Sequence, residues 1–130
     1  MRENMNHIGL LLLRVFAGCG ILTHGWDKLT HFGHMLQNFP DPIGLGVTLS
    51  LSLVVFAEVG CSILVILGVM TRLAAIPIAF TMTIACFVAL AGQPLQMREL
   101  PFVYLGIFLS LIIMGGGKFS ILNLKKLPMD

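Results

Sequence analysis

Four long apolar runs, separated by short segments rich in glycine and proline, constrain this chain more than any other feature. They are Ile8 to about Gly25, Leu45 to Val69, about Ala74 to Gly92, and Pro101 to about Gly116. A helix crosses the hydrocarbon core of a bilayer with about 20 mostly apolar residues, and each run is close to that length. Within hydrocarbon the backbone must satisfy its own hydrogen bonds, which uninterrupted runs do as helices. The expected fold is an all-α membrane protein: a four-helix transmembrane bundle that makes one domain of residues 1–130. The punctuation agrees. Asn38-Phe39-Pro40-Asp41-Pro42 breaks the first long connection, Met70-Thr71-Arg72 forms a tight hairpin, and Gly92-Gln93-Pro94 closes the third run. Pro101 is expected in the first turn of the fourth helix and Pro77 in the first turn of the third, where a missing N–H is tolerated.

Composition is consistent with a chain whose surface faces lipid. Hydrophobic residues make up 57% and charged residues 11%, against about 25% charge in soluble domains. Mean hydropathy is +0.95. Eight Lys/Arg and six Asp/Glu are scattered singly, without the basic stripe that a phosphate backbone requires, so nucleic acid is not an expected partner. The lipid bilayer is. With four spans, Arg2, Arg72, Lys118, Lys125 and Lys126 share one side and Lys28 and Arg98 the other. The positive-inside rule then places both termini in the cytoplasm.

Several motifs carry little. Cys19, Cys61 and Cys86 lie in separate runs without C-x-x-C spacing and read as small packing residues, an interhelical disulfide or redox pair being left open. No Cys/His spacing points to a metal, and no haem or flavin signature is visible. Phe16-Ala17-Gly18-Cys19 faintly suggests a lipoprotein cleavage site, but Arg14 interrupts the signal core, so the run reads as a retained helix. Gly115-Gly116-Gly117-Lys118 lacks the Ser/Thr of a phosphate loop and reads as a helix end at the membrane surface.

Arg14 and Glu58 are the informative residues, because an ionisable side chain within a span is costly and faces protein or water. If Ile8 and Met70 mark one membrane surface, then at ~1.5 Å per residue Arg14 lies about 9 Å deep, Glu58 about 18 Å and His24 about 24 Å. Glu58 is then near mid-bilayer and within reach of either Arg14 or His24. Arg14, Gly18, Gly25 and Lys28 fall on one helical stripe, and Glu58, Cys61 and Ser62 follow i, i+3, i+4 spacing on the second helix. Polar groups are therefore expected to converge between the first two helices, where Gly18 and Gly25 admit a backbone or a flat ligand. The bland alternatives are that Arg14 fixes helix register or snorkels to the surface, and that His24, Lys28, His31 and His34 form a solvated outer turn, with Asp27 balancing Lys28. The same histidines could move protons or bind metal. Thr81, Thr83, Cys86, Tyr104 and Ser110 are assigned to packing, with Tyr104 a further candidate for an aromatic belt with Trp26 and Phe102.

In order, the chain carries Arg14, His24-Gly25-Trp26-Asp27-Lys28-Leu29, Glu58-Val59-Gly60, the run Ile63 to Arg72, and Gly115-Gly116-Gly117-Lys118-Phe119-Ser120-Ile121. Its H-G-x-x-K-L block, and a glutamate followed after nine residues by G-x-x-T-R, resemble the DoxX family of small four-helix membrane proteins of bacteria and archaea. The resemblance implies a multi-pass protein of the bacterial cytoplasmic (inner) membrane, with Arg14, His24, Lys28, Glu58 and Arg72 as motif positions. Some members look like quinone-linked redox subunits, and others are tied to oxidative-stress protection.

Three functions are then in contention. The first is a redox-associated subunit that binds a quinone, or another flat apolar molecule, between the first two helices. Glu58 and His24 would be proton partners there, with Arg14, Gly18, Gly25, Lys28, Cys61 and Ser62 around the ligand. Electrons would come from a soluble or membrane redox partner, so the chain would be a subunit of an oxidoreductase and not an enzyme alone. The others are a non-catalytic scaffold or assembly partner, and a small transporter or proton channel, for which four short helices enclose little volume unless they form a homo-oligomer.

Overall fold

The computed structural model describes residues 2–39, 41–117 and 119, with the side chains of residues 3 and 38 excepted. Five helices and no strand are found among the described residues: α1 (Arg2–Thr30), α2 (Phe32–Asn38), α3 (Val47–Leu67), α4 (Thr71–Ala89) and α5 (Leu95–Met114). All but the short α2 are long and apolar enough to cross a membrane, as expected.

The bounds differ instructively from those read off the apolar runs. Helix α1 continues past Gly25 through Trp26-Asp27-Lys28-Leu29-Thr30, because amphipathic residues extend a helix into the interface once its core face is packed. Thr30 Oγ1 donates to Trp26 O at 3.0 Å, and the His31 amide to Asp27 O at 3.1 Å. Neither proline sits in a first turn. Pro94 precedes α5 and Thr71 opens α4, so Pro101 and Pro77 fall in helix interiors. Each denies a hydrogen bond to the carbonyl four residues back.

Helices α3 and α4 each contain a π-helical segment, Phe56–Cys61 and Ala85–Ala89. Such widened turns insert one residue and loosen nearby carbonyls. Side chains take these up: Ser62 Oγ donates to Glu58 O at 2.6 Å and Val59 O at 2.9 Å, and Arg98 Nε donates to Cys86 O at 2.9 Å. Between α3 and α4, Gly68 adopts φ 77°, and the Val69 amide reaches back to Leu64 O at 2.8 Å, closing the helix in a left-handed cap.

The core is a seam of Ala17 and Ile21 from α1, Val65 from α3, Ile78 from α4, and Phe108 and Leu111 from α5. Phe16 and Ile113 point outward and are exposed, as lipid-facing residues must be. Helix α5 packs chiefly on α4 and is the least buried of the four spans.

Candidate functional site

Glycines set the register between α1 and α3. A methyl group at Gly25 would lie 2.7 Å from the backbone carbonyl carbon of Glu58, and one at Gly18 would meet Ile66 and the Ser62 carbonyl. The helices therefore pair residue 25 with 58 and residue 18 with the 62–66 stretch, about five residues from the register implied by aligning Ile8 with Met70. That difference, about 7 Å, reassigns the partner of Glu58.

Arg14 lies eleven residues before Gly25, about 16 Å along the axis, at the level of the α3–α4 hairpin. It is fully buried there. Its Nη2 donates to Phe119 O, and its Cδ lies close to Gly116, where a methyl group would also collide with Thr71. Arg14 is thus a cation of the hairpin end, out of reach of Glu58, for which the sequence had left both Arg14 and His24 open. Arg72 is half-buried at the same end, its Nε without a hydrogen-bond partner among the described residues.

Glu58 pairs with Lys28. Lys28 Nζ stands 2.6 Å from Glu58 Oε1, with Glu58 only 3% exposed and the Lys28 side chain 22% exposed. The pairing follows from the length of α1: one turn beyond Gly25, Lys28 keeps the same face and its stem reaches inward to the carboxylate. Lys28 therefore leaves the outer group of charges, in which Asp27 and His31 approach each other at 3.4 Å.

The pair forms a wall shared by two cavities. The larger, about 400 Å³, lies between α3 and α4, with Leu53, Val54 and Ala57 facing Pro77, Phe80 and Ile84. The loop residues Phe39, Pro42, Ile43 and Leu45 line it as well. That loop is held by Asp41, whose Oδ1 accepts from the Leu45 amide (3.1 Å) and Ser50 Oγ (2.7 Å), and whose Oδ2 accepts from the Gly46 amide (2.9 Å). These bonds, Ser50 foremost, keep the Asp41 carboxyl below its ordinary value of 3.8. The smaller cavity, about 140 Å³, lies between α1, α4 and α5 and is lined by His24 and Tyr104 with Lys28 and Glu58. The two helix-interior prolines, Pro77 and Pro101, line the larger and smaller cavity respectively.

The structure thus brings together Glu58, His24 and Lys28, and separates them from Arg14 and Arg72. Gly18 and Gly25 serve close packing of α1 against α3; the larger cavity lies between the second and third spans, and the smaller one is bounded by α1 together with Glu58 of α3. Cys61 and Ser62 are buried but line neither cavity, Ser62 being bonded to its own helix. The three cysteines are free thiols. Tyr104, read from sequence as packing, lines the smaller cavity, and its hydroxyl sits over Gly20, where a side chain would displace it. Asp41 entered the sequence reading only as part of a chain break, although its partners lie four, five and nine residues on, and Gly20 was not singled out because its partner, Tyr104, is remote in sequence.

Four apolar spans around a buried ion pair define a multi-pass integral membrane protein. More narrowly, the chain belongs to the DoxX family, whose family model matches residues 9–91, covering the first three spans and both members of the ion pair. Helix α5 lies beyond the matched residues. No curated protein and no solved structure matches the chain.

Proposed function

We propose that this protein is a redox-associated subunit of the bacterial cytoplasmic membrane that binds a quinone, or a similar flat apolar molecule, in the larger cavity. The observation that carries this reading is the Lys28–Glu58 pair in the wall of an apolar cavity of about 400 Å³, within the 300–1,000 Å³ usual for small-molecule sites. A bound quinone would supply an acceptor of two electrons and two protons. Lys28 Nζ would donate a hydrogen bond to a ligand carbonyl, and the Glu58 carboxylate, once it has taken up a proton, would pass that proton on to the ligand. Phe39, Ile43 and Phe80 would hold a ring and exclude water, and electrons would come from a partner redox protein. The positive-inside rule puts both termini in the cytoplasm and the cavities toward the outer half of the membrane.

Native mass spectrometry of gently extracted protein, offered a quinone-containing lipid extract, tests this. Wild type is expected to retain a quinone, and Leu53→Trp, which fills the cavity without touching the charges, to lose it. Retention by both forms, or by neither, would overturn the assignment. In the latter case a co-purifying protein would favour the scaffold reading, for which the sparsely buried α5 offers a face.

A further inference from the structure

The larger cavity has a roof, a wall and a mouth. Its roof is the loop that carries Phe39, Pro42, Ile43 and Leu45, pinned where Asp41 accepts from the Gly46 amide and from Ser50 Oγ. Its polar wall is the Lys28–Glu58 pair. Phe56 of α3 and Phe80 of α4 line the same cavity, and yet each is 60% exposed. Side chains that border an internal space and also the outer surface mark where the two join. Both phenylalanines lie nine residues, about 14 Å, from the outer ends of their helices, Val47 and Ala89. In spans that cross a hydrocarbon core of about 30 Å, that is the middle of the bilayer. The opening therefore gives onto acyl chains and not onto water.

We propose that the larger cavity is loaded sideways from the bilayer through a mouth between Phe56 and Phe80, and that its ligand has an uncharged head with acceptor carbonyls and one long apolar tail that remains in the lipid. The class of ligand rests on the quinone reading; the lateral mouth does not. Inside, the hydroxyls of Ser50 and Thr81 are committed to Asp41 at 2.7 Å and to Pro77 O at 2.9 Å, which leaves the ion pair to receive the head. Glu58 follows Phe56 by two residues, so the head is held at the depth of the mouth. That depth selects among amphiphiles. A phospholipid would have to draw its charged headgroup about 15 Å into hydrocarbon, half the thickness of the core, and charge at the bilayer centre is costly. An uncharged quinone ring meets no such cost. Its tail passes from lipid to lipid, so the length lying beyond the mouth adds little to binding. An enclosed cavity of about 400 Å³ would behave otherwise, because an eight-unit prenyl tail is too bulky for it.

The mouth is tested first without quinone, on the wild-type chain. Protein in vesicles that contain a phospholipid with a diazirine at the end of one acyl chain is irradiated, and adducts are mapped by mass spectrometry of its peptides. Ala57 is only 2% exposed and lines the larger cavity, whereas Ala75 is fully buried and lines neither cavity. An open mouth admits an acyl chain, so Ala57 is expected to carry adducts and Ala75 none. Adducts at neither alanine, or at both alike, would overturn the mouth. Quinones with two and with eight prenyl units are then offered at equal mole fraction of the lipid. Wild type is expected to retain them within about twofold of each other, and each to suppress the adducts at Ala57; a preference of about tenfold for the short tail would mean an enclosed site and overturn the proposal. Phe56→Ala with Phe80→Ala is expected to speed exchange of bound quinone at least about tenfold, and Asp41→Asn, which loosens the roof, no more than about twofold. The reverse order would make the roof the entrance and overturn the lateral route. Adducts at Ala57 with no quinone retained by any form would uphold the mouth and overturn only the ligand reading, and a phospholipid held in its place would overturn the uncharged head.

Discussion

The two ends of the bundle pose the same problem and solve it differently. Each takes a cation from the inner face of α1, Arg14 midway along the helix at the level of the α3–α4 hairpin and Lys28 in its last turn. Arg14 is fully enclosed, bonded to the Phe119 carbonyl and packed against Gly116, and it lines neither cavity. Lys28 keeps some exposure, meets a carboxylate, and stands between two cavities. A buried charge that is enclosed by packing serves architecture. One that borders open volume is available for chemistry, and the neighbouring space distinguishes the two better than the charge itself.

The sharpest way to break this comparison is to remove one member of the ion pair. Glu58→Gln leaves Lys28 without its counter-charge and is expected to cost about 3 kcal/mol of stability, the low end for a broken buried pair because Lys28 keeps a path outward. Thermal unfolding in detergent measures the loss, and quinone retention is expected to vanish with it. The double change Lys28→Met with Glu58→Met should recover most of that stability, since well-packed apolar residues replace such pairs at little cost, yet retention should stay absent. If the double variant still bound quinone, the pair would be architectural like Arg14. At the other end, Arg14→Met is expected to lower stability by about 1–3 kcal/mol through the orphaned Phe119 carbonyl while leaving retention intact.

Smaller effects sharpen the register that separates the two ends. Gly25→Ala forces a methyl against Glu58 backbone and is expected to cost about 1–3 kcal/mol, with ligand retention reduced because Glu58 is pushed aside. Gly18→Ala meets mainly the flexible Ile66 side chain and should cost less than Gly25→Ala in the same unfolding assay. The smallest effect lies at the loop over the larger cavity. Because the Asp41 carboxyl is held below its ordinary value, its stabilisation is fully present above pH 3.8 and is lost as pH falls through the lower folded value. Asp41→Asn should therefore lower the unfolding midpoint slightly at neutral pH and flatten its acid limb, the two proteins converging at low pH.

Much of this bundle was legible before any coordinates. Length and hydropathy of the apolar runs dictate four spans, and Arg14, Gly18, Gly25 and Lys28 do share the inner face of α1. Glu58, His24 and Lys28 were candidates from their chemistry alone. Their pairing was not legible, because a five-residue error in helix register decides which residue of α1 lies opposite Glu58, and hydropathy locates span ends no better than that. The larger cavity was not legible for a related reason: glycines on facing helices signal close approach, and the space opens beside that contact, between α3 and α4. That Tyr104 lines the smaller cavity was not legible, because its placement depends on Gly20, 84 residues away in sequence.

The widened turn at Phe56–Cys61 has a genetic consequence. A π-helical segment carries one residue more than the α-helical turn it replaces, so it can be gained or lost through a single codon. Dropping one residue between 56 and 61 would return this turn to α-helical geometry and leave α3 long enough to span, with its two halves near their present faces. The same deletion in a regular stretch of α3 would swing one half of the helix by about 100° relative to the other and turn an inner face to lipid. Loss of a residue is thus expected to be better tolerated in the widened turn than in the apolar sequence around it.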